Sequence, residues 1–235
     1  MSNNSPPKFE AIIYEVTGPV ATITLDRPEM ANAQNTQLID EVDAAFDLAD
    51  ADDQVRVVVL AGRGRHFSSG HDLKALVGDT EPDEWRLMRE TPEGKYHHEK
   101  VMYFDRCLRI RDFRKPTIAA VQGKCIAAGV MLACMCDLIV ASDDASFQNP
   151  VLRMTGAAVE LLVEPWEMPA RKAKEFLLTA SVLTAVEAER LGMVNRVVPR
   201  DDLEEAVREM AETIAKVPPA TAQVVKRSIN KTLDL

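Results

Sequence analysis

The sequence predicts a layered α/β fold that ends in a helical region. Two strand-like segments, residues 11–16 and 20–25, flank a Gly-Pro turn near the N-terminus. Residues 55–60 are apolar on both faces of a strand, a pattern typical of buried central strands. Helical spacing of apolar residues dominates the C-terminal end, at 201–217 and 220–233. Strands that alternate with helices and then give way to helices favour a layered α/β core.

The composition is that of an ordinary globular protein. The chain has 235 residues, of which 46% are hydrophobic and 28% charged, so it can bury a core without disulfides. A net charge of −9 argues against a broad nucleic-acid-binding surface. The four cysteines lack paired C-x-x-C spacing, and the neighbours His97 and His98 would not share one helix face. We therefore predict no metal site.

Membrane and export signals are missing from the sequence pattern. The first eight residues are polar and lack an apolar signal core, and no apolar run approaches the roughly 18 residues of a membrane span. These features predict a protein that does not insert into membranes and is cytoplasmic.

Two glycine-bearing segments carry most of the functional information. Residues 66–73 (His-Phe-Ser-Ser-Gly-His-Asp-Leu) follow one apolar strand, and residues 123–129 (Gly-Lys-Cys-Ile-Ala-Ala-Gly) follow the next. Small residues at such turns let a ligand oxygen approach the backbone closely. If the two turns face each other, two main-chain N–H groups can converge on one oxygen and form an oxyanion hole.

Two other functional classes fit the sequence poorly. The Gly62-Arg63-Gly64 segment matches neither the P-loop nor the dinucleotide-binding fingerprint, because the later glycine and Lys-Ser/Thr positions are not filled. The sequence also has no G-x-S-x-G nucleophile elbow, which argues against a serine hydrolase of that kind.

Five ordered motifs resemble those of the crotonase superfamily, the enoyl-CoA hydratase/isomerase family. The resemblance runs from about residue 15 to about residue 230. The matching segments are 20–33, 67–73, 115–123, 136–141 and 178–199. The resemblance implies a spiral of ββα units, a coenzyme A (CoA) thioester as substrate, and assembly into homotrimers or hexamers. It implies no cofactor beyond the CoA carried by the substrate.

The resemblance also divides the chain and implies its site residues. Residues 1–180 would form the spiral core with the thioester site, and residues 181–235 the helical region used in trimerisation. The oxyanion amides would be those of Ser69 and Ala128. The substrate-binding residues implied are Ser69, Gly70, His71, Asp72 and Ala128. The CoA-binding candidates are Arg27, Ala31 and Lys74.

The chain departs from the family pattern where hydratases carry two catalytic glutamates. Met131 and Val151 occupy those positions, and neither side chain can transfer a proton. Glu160, an isolated carboxylate among apolar neighbours, is the predicted replacement, because such surroundings favour acid–base chemistry near neutral pH. Glu164 and Glu167 are further candidates.

Two functional hypotheses follow. In the first, the chain is an acyl-CoA enzyme that stabilises a thioester enolate through two backbone amides. A single carboxylate suits double-bond isomerisation better than two-base hydration, although hydration stays open. In the second, the chain is a catalytically inactive CoA-thioester-binding family member or a partner subunit, since both usual glutamates are replaced.

Overall fold

A six-stranded mixed sheet forms the centre of the fold. The computed structural model describes residues 8–74, 83–154 and 162–234. The strands are β1 (Ile12–Thr17), β2 (Val20–Leu25), β3 (Val57–Gly62), β4 (Thr117–Val121), β5 (Lys124–Ile126), β6 (Leu138–Ser142), β7 (Ser146–Gln148), β8 (Leu183–Thr184) and β9 (Arg196–Val198). The large sheet has the order β1-β2-β3-β4-β6-β9, and a smaller sheet has the order β5-β7-β8. The β1–β2 hairpin is antiparallel, whereas β2, β3, β4, β6 and β9 run parallel.

Helices cover both faces of the large sheet. They are α1 (Thr36–Ala51), α2 (Asp83–Met88), α3 (Pro92–Glu99), α4 (Asp105–Asp112), α5 (Ala128–Cys134), α6 (Val151–Met154), α7 (Glu164–Glu167), α8 (Ala170–Thr179), α9 (Ala185–Leu191), α10 (Leu203–Ala215) and α11 (Pro219–Leu233). A π-helical turn, Lys100–Phe104, joins α3 to α4. No helix in the described ranges is both long enough and apolar enough to cross a membrane.

The apolar runs of the sequence become the central strands, as predicted. The side chains of β3 from Val57 to Leu60 are at most 5% exposed, and every residue of β4 is buried. One face of the sheet packs against α1 and α5 in the main core, and the other packs against α10 through Leu203, Ala206 and Val207. Burial on both faces explains why these strands lack an alternating polar pattern.

The C-terminal residues belong to the same body as the rest. Strand β8 pairs with β7, β9 pairs with β6, and α10 lies on the large sheet, so segments beyond residue 180 join both sheets. Helix α11 is tied down by the buried Lys226, whose Nζ lies 2.8 Å from Asp137 Oδ2. The same carboxylate oxygen accepts a 2.7 Å hydrogen bond from the Thr117 amide at the start of β4.

The polar, charge-rich stretch from Lys74 to about Gly94 contains regular structure. Helix α2 spans Asp83–Met88, and α3 begins at Pro92 with Thr91 as its N-cap. Residues 75–82 of this stretch lie outside the described residues.

Candidate active site

The two glycine turns lie side by side, as the sequence predicted they could. Ser68 forms a parallel β-bridge with Cys125: the Ser68 amide donates to the Lys124 carbonyl at 3.3 Å, and the Ile126 amide donates to the Ser68 carbonyl at 2.9 Å. The turn after β3 is thereby hydrogen-bonded to strand β5, which leads directly into α5. The main chains of Gly70 and Ala128 are consequently neighbours.

Two glycines make this approach possible. A Cβ atom on Gly70 would lie 2.9 Å from the Ile126 carbonyl oxygen and 3.3 Å from the Ala128 nitrogen. A Cβ atom on Gly129 would lie 2.7 Å from the Ser68 carbonyl oxygen. Gly70 also has φ = +89°, a left-handed conformation that costs a glycine little. Larger residues at either position would push the two turns apart.

The structure revises which amide the first turn presents. The Ser69 N–H donates to the Ala31 carbonyl at 2.9 Å, so the predicted oxyanion donor already has an internal partner. Gly70 and Asp72 bond to Gln34, through the Gly70 carbonyl and the Asp72 amide. The intervening His71 N–H points away from Gln34, and no described acceptor receives it. The open amide of this turn therefore belongs to His71.

The sequence argument missed this two-residue difference for a definite reason. The conformation of Gly70 decides which peptide groups of the turn face inward, and its φ of +89° is a property of the folded turn. A clue was present in the sequence, since a glycine between Ser69 and His71 allows the chain to reverse its alternation there.

The second turn contains Ala128, the other residue predicted to supply an oxyanion amide. Ala128 is the first residue of α5, and no described oxygen accepts from its N–H. The preceding Ala127 has φ = +50° and ψ = −116°, a conformation rarely adopted by residues other than glycine. The Ala127 amide donates to the Gln148 carbonyl at 2.9 Å, which holds the turn against β7.

A buried asparagine supports the first turn from behind. The Asn32 side-chain amide donates to the carbonyls of Arg63, His66 and Phe67 at 2.9 to 3.0 Å, and its Oδ1 accepts from the Arg27 amide at 3.0 Å. Asn32 is fully buried and itself has φ = +52°. Its hydrogen bonds satisfy loop carbonyls that water does not reach, so the turn keeps one shape.

The residues predicted to contact CoA have varied surroundings. Arg27 donates to the Ala33 carbonyl and pairs with Asp72 at 3.1 Å, so it braces the two loops rather than presenting a free cation. The Ala31 carbonyl is occupied by the Ser69 amide. Lys74 is exposed, and its amide donates to Asp72 Oδ1 at 3.2 Å.

An apolar cleft opens beside the first turn, between α1 and the segment formed by the π-helical turn and α4. We call it the α1–α4 cleft; its empty space is about 430 Å³, which includes space open to solvent. Its lining includes Gln34, Leu38, Val42, Phe46, His71, Met102, Tyr103, Ile110 and Leu132. His71 is the residue whose amide is open, and Leu132 lies one helical turn beyond Ala128. The cleft therefore adjoins the residue that carries the first open amide and lies one helical turn from the second.

Aromatic and imidazole rings form the cleft wall nearest the amides. The His71 ring stacks on Tyr103 with centroids 3.9 Å apart, and His98 meets the same phenol ring edge-on at 5.6 Å. Burial lowers the pKa of His71 to about 4, with a smaller contribution from His98. Burial likewise lowers the pKa of His98 to about 4, assisted by the charge of Arg89. Both imidazoles are neutral at pH 7, so this wall is uncharged.

The three glutamates predicted as proton-transfer candidates differ in their surroundings, and one of them lies outside the described residues. Glu160, the predicted acid–base residue, lies outside the described residues. Glu164 is 1% exposed; its Oε1 accepts from Asn149 at 2.9 Å, while no described donor reaches its Oε2. Burial raises the pKa of Glu167 to about 7. Met131, which was predicted to replace one hydratase glutamate, is buried in the core.

Among the residues described, no group of three or more His, Cys, Asp and Glu side chains is arranged to hold a metal ion. The described part of the site brings together two main-chain donors, an apolar cleft and buried carboxylates.

Known proteins resemble this chain over nearly its whole length. The family described as enoyl-CoA hydratase/isomerase matches residues 15–235. Putative enoyl-CoA hydratase EchA13 of Mycobacterium tuberculosis is 45% identical over 97% of this chain and 76% of its own length. The crystal structure of an enoyl-CoA hydratase/isomerase from Xanthobacter autotrophicus Py2 has a TM-score of 0.88 at 36% identity, covering 97% of this chain and 81% of that chain. A monofunctional enoyl-CoA isomerase from M. smegmatis has a TM-score of 0.77 at 30% identity, covering 96% and 94%.

Proposed function

Because the chain belongs to the enoyl-CoA hydratase/isomerase family, we propose that it binds acyl-CoA thioesters and polarises their carbonyl group with the main-chain N–H groups of His71 and Ala128. The observation that carries this proposal is the pair of amides without acceptors on two turns that touch, beside an apolar cleft. An N–H group left without a partner in a protein interior is costly unless something binds it. A thioester oxygen that gains negative charge would satisfy both donors at once.

The electrostatic part of the mechanism follows from this geometry. Removing a proton from the carbon next to the thioester carbonyl, or adding water to a double bond conjugated with it, places negative charge on the carbonyl oxygen. Two fixed N–H donors stabilise that charge without having to reorganise during the reaction. Each donor of this kind typically contributes about 10²–10³ in rate. The imidazoles nearby are neutral at pH 7, so they add no positive charge beside the carbonyl oxygen.

Glu160 remains the proposed proton-transfer residue. With Met131 and Val151 at the positions of the two hydratase glutamates, a single carboxylate would move a proton between two carbons of the acyl chain, which is isomerase chemistry. Glu164 is the alternative, because it is buried, has one oxygen without a described donor, and is held by Asn149 next to β7. Strand β7 also holds the second amide turn through the Gln148 carbonyl.

The proton-transfer residue can be identified by three matched substitutions. We expect Glu160→Gln to lower kcat by about 10²–10⁴ while leaving acyl-CoA binding intact, because the amide loses the proton but keeps the shape. Glu164→Gln and Glu167→Gln serve as controls of the same chemistry. Full turnover by Glu160→Gln together with a large loss in Glu164→Gln would transfer the role to Glu164.

The type of reaction can be separated by substrate. Crotonyl-CoA loses its conjugated ultraviolet absorbance when hydrated, whereas a 3-enoyl-CoA gains it when isomerised to the 2-enoyl form. Our proposal predicts isomerisation at a rate well above any hydration. Rapid loss of crotonyl-CoA conjugation would instead assign two-step water addition, which would require a second proton-transfer group.

An inactive CoA-thioester-binding protein is the alternative function, favoured by the replacement of both usual glutamates. It predicts binding of acyl-CoA by calorimetry with no product from enoyl-, dienoyl- or 3-hydroxyacyl-CoA. Homotrimeric or hexameric assembly and a cytoplasmic location also belong to the proposal, and light scattering of the purified protein measures the first of them.

A further inference from the structure

The α1–α4 cleft runs from a near end, beside the first turn, to a far end deeper between the two helices. Gln34, which accepts and donates the hydrogen bonds of the first turn, marks its near end just before α1. Phe46, two helical turns along α1 from Leu38, marks its far end. Across the cleft, Tyr103 lies near His71 and Ile110 lies at the far end. Both walls therefore lead away from the site in the same direction.

The far end of the cleft is plugged by apolar side chains. The rings of Phe46 and Phe113 meet edge to face with centroids 5.0 Å apart, and Ile110 is only 5% exposed. An acyl chain entering from the amides would meet these rings. A longer chain would have to leave the cleft sideways, between α1 and α4, to reach solvent.

Ion pairs span the gap between the two helices. Asp40, Asp43, Asp47 and Asp50 follow one another at spacings of three and four residues, which places them along one side of α1. Arg106 of α4 lies 2.5 Å from Asp40, and Arg109 pairs with both Asp43 and Asp47. Asp43 and Arg106 also line the cleft, so these pairs form its solvent-facing side.

A third arginine forms an ion pair of the same kind beyond the cleft. Arg114 bonds to the carboxylate and the carbonyl of Asp50, and neither residue lines the cleft. Arg106 and Arg109 thus close the side of the cleft, whereas Arg114 joins the same segments past its end.

The wall that carries the arginines begins with a backbone irregularity. The five residues Lys100–Phe104 form a π-helical turn, and two of them, Met102 and Tyr103, line the cleft. Turns of this kind are less regular than an α-helix and occur frequently at functional sites. A wall hinged at such a turn can move away from α1 when its ion pairs separate.

On the basis of the proposed function, we infer that the Arg106–Asp40 and Arg109–Asp43/Asp47 pairs set the acyl-chain length that the enzyme accepts, by closing the side of the α1–α4 cleft. Short acyl chains fit between the amides and the Phe46–Phe113 plug. Longer chains bind only when the two pairs open and the chain passes between the helices. Because the pairs are partly exposed, each resists opening only modestly.

The test compares butanoyl-, octanoyl- and dodecanoyl-CoA, saturated thioesters whose binding can be measured by calorimetry without turnover. We expect the double variant Arg106→Gln/Arg109→Gln to raise the affinity for dodecanoyl-CoA relative to butanoyl-CoA by about 2- to 10-fold, the range that two partly exposed ion pairs supply. Glutamine keeps most of the side-chain length, so the wall retains its packing. The matched control is Arg114→Gln, which should leave the ratio unchanged.

The salt dependence of the affinity ratio tests the same inference independently. Raising the salt concentration from about 0.01 M to about 1 M shortens the Debye length from about 30 Å to about 3 Å and weakens exposed ion pairs. The dodecanoyl-to-butanoyl ratio of the unmodified protein should rise towards that of the double variant. The same measurement on the double variant, which lacks these ion pairs, gives the general effect of salt on apolar binding.

Several outcomes would overturn the inference. The inference is wrong if the dodecanoyl-to-butanoyl affinity ratio is unchanged in the double variant, or if the affinities for all three thioesters change equally. It is also wrong if Arg114→Gln shifts this ratio as much as the double variant does. Each of these results would leave the proposed function unaffected. Failure of the unmodified protein to bind even butanoyl-CoA would instead contradict the proposed function itself, and the inference with it.

Discussion

Each of the two glycine turns presents one open main-chain N–H group, but the backbone conformations that do so differ. The first turn reverses its alternation at Gly70, whose φ of +89° is unstrained for glycine, and it then carries an ionisable residue, His71. The second turn depends on Ala127, whose φ of +50° and ψ of −116° store about 1–3 kcal/mol of strain, and its open amide belongs to Ala128, which has no ionisable side chain. The first open amide therefore lies on a relaxed backbone but on a residue that can be protonated, whereas the second lies beside a strained residue and on one that cannot.

Adding a methyl group to the first turn should have the largest effect. In Gly70→Ala the new Cβ would lie 2.9 Å from the Ile126 carbonyl and 3.3 Å from the Ala128 nitrogen, so the two amides would separate. We expect kcat/KM to fall by about 10²–10³, the cost of losing one oxyanion donor. Steady-state kinetics on the confirmed acyl-CoA substrate measures this loss.

Gly192→Ala is the matched control for backbone strain. Gly192 has the same φ of +89°, but an added Cβ would meet nothing within 4 Å, and the residue ends α9 away from the site. Gly192→Ala should lose about 1 kcal/mol of stability, because it places alanine in the left-handed region. Gly70→Ala should lose more, because the steric conflict with the Ile126 carbonyl adds to the same backbone cost. Similar activity losses in the two variants would show that contact between the turns is unimportant for the reaction.

His71 of the first turn and its neighbour His98 should make the free energy of unfolding depend on pH, an effect for which the second turn has no equivalent histidines. The pKa of His98 and that of His71 are each lowered to about 4 in the folded protein, against about 6.5 in an unfolded chain. Between pH 6.5 and pH 4 the unfolded state binds these protons and the folded state does not. The free energy of unfolding should therefore fall as the pH falls through that window, by up to about 3 kcal/mol for the buried His98.

Denaturant unfolding at pH 7, 5.5 and 4 measures the slope of the free energy of unfolding against pH. The two variants to compare are His98→Gln and, as its control, His97→Gln. His97 is exposed, whereas its neighbour His98 is 1% exposed. The slope should flatten in His98→Gln and persist in His97→Gln. Equal slopes in both variants would mean that protonation of the cleft wall does not limit acid stability.

Relieving the strain of the second turn should have the smallest effect. We expect Ala127→Gly to stabilise the protein by about 0.5–2 kcal/mol, because glycine adopts the native conformation without strain but loses more entropy on folding. Activity should change by less than tenfold, because the Ala127 hydrogen bond to the Gln148 carbonyl remains. Thermal unfolding and steady-state kinetics measure the two quantities.

Ala180→Gly provides the comparison for this variant. Ala180 has φ = +48° and ψ = +39°, in the ordinary left-handed region, so less strain is relieved there. A stabilisation by Ala180→Gly that equals or exceeds that of Ala127→Gly would show that the second turn stores no special strain.

Much of the fold and part of the site were predictable from local patterns. The central strands and the C-terminal helices followed from apolar periodicity, and the crotonase fold predicted from the motifs is confirmed by the family match and by the solved structures. Ala128 was predictable as an open amide because it begins a helix, where N–H groups have no partner within the helix.

The sequence alone determined the two glycine turns and the layered α/β core, since both depend on residue identity and spacing. Only the tertiary structure decided that His71 rather than Ser69 presents the first amide, because that depends on the φ of Gly70 and on the carbonyl of a distant residue, Ala31. The ring cluster and the ion pairs of the cleft likewise join segments far apart in the chain. Local patterns govern the conformation of neighbouring residues, whereas hydrogen-bond partners are chosen when distant segments pack together.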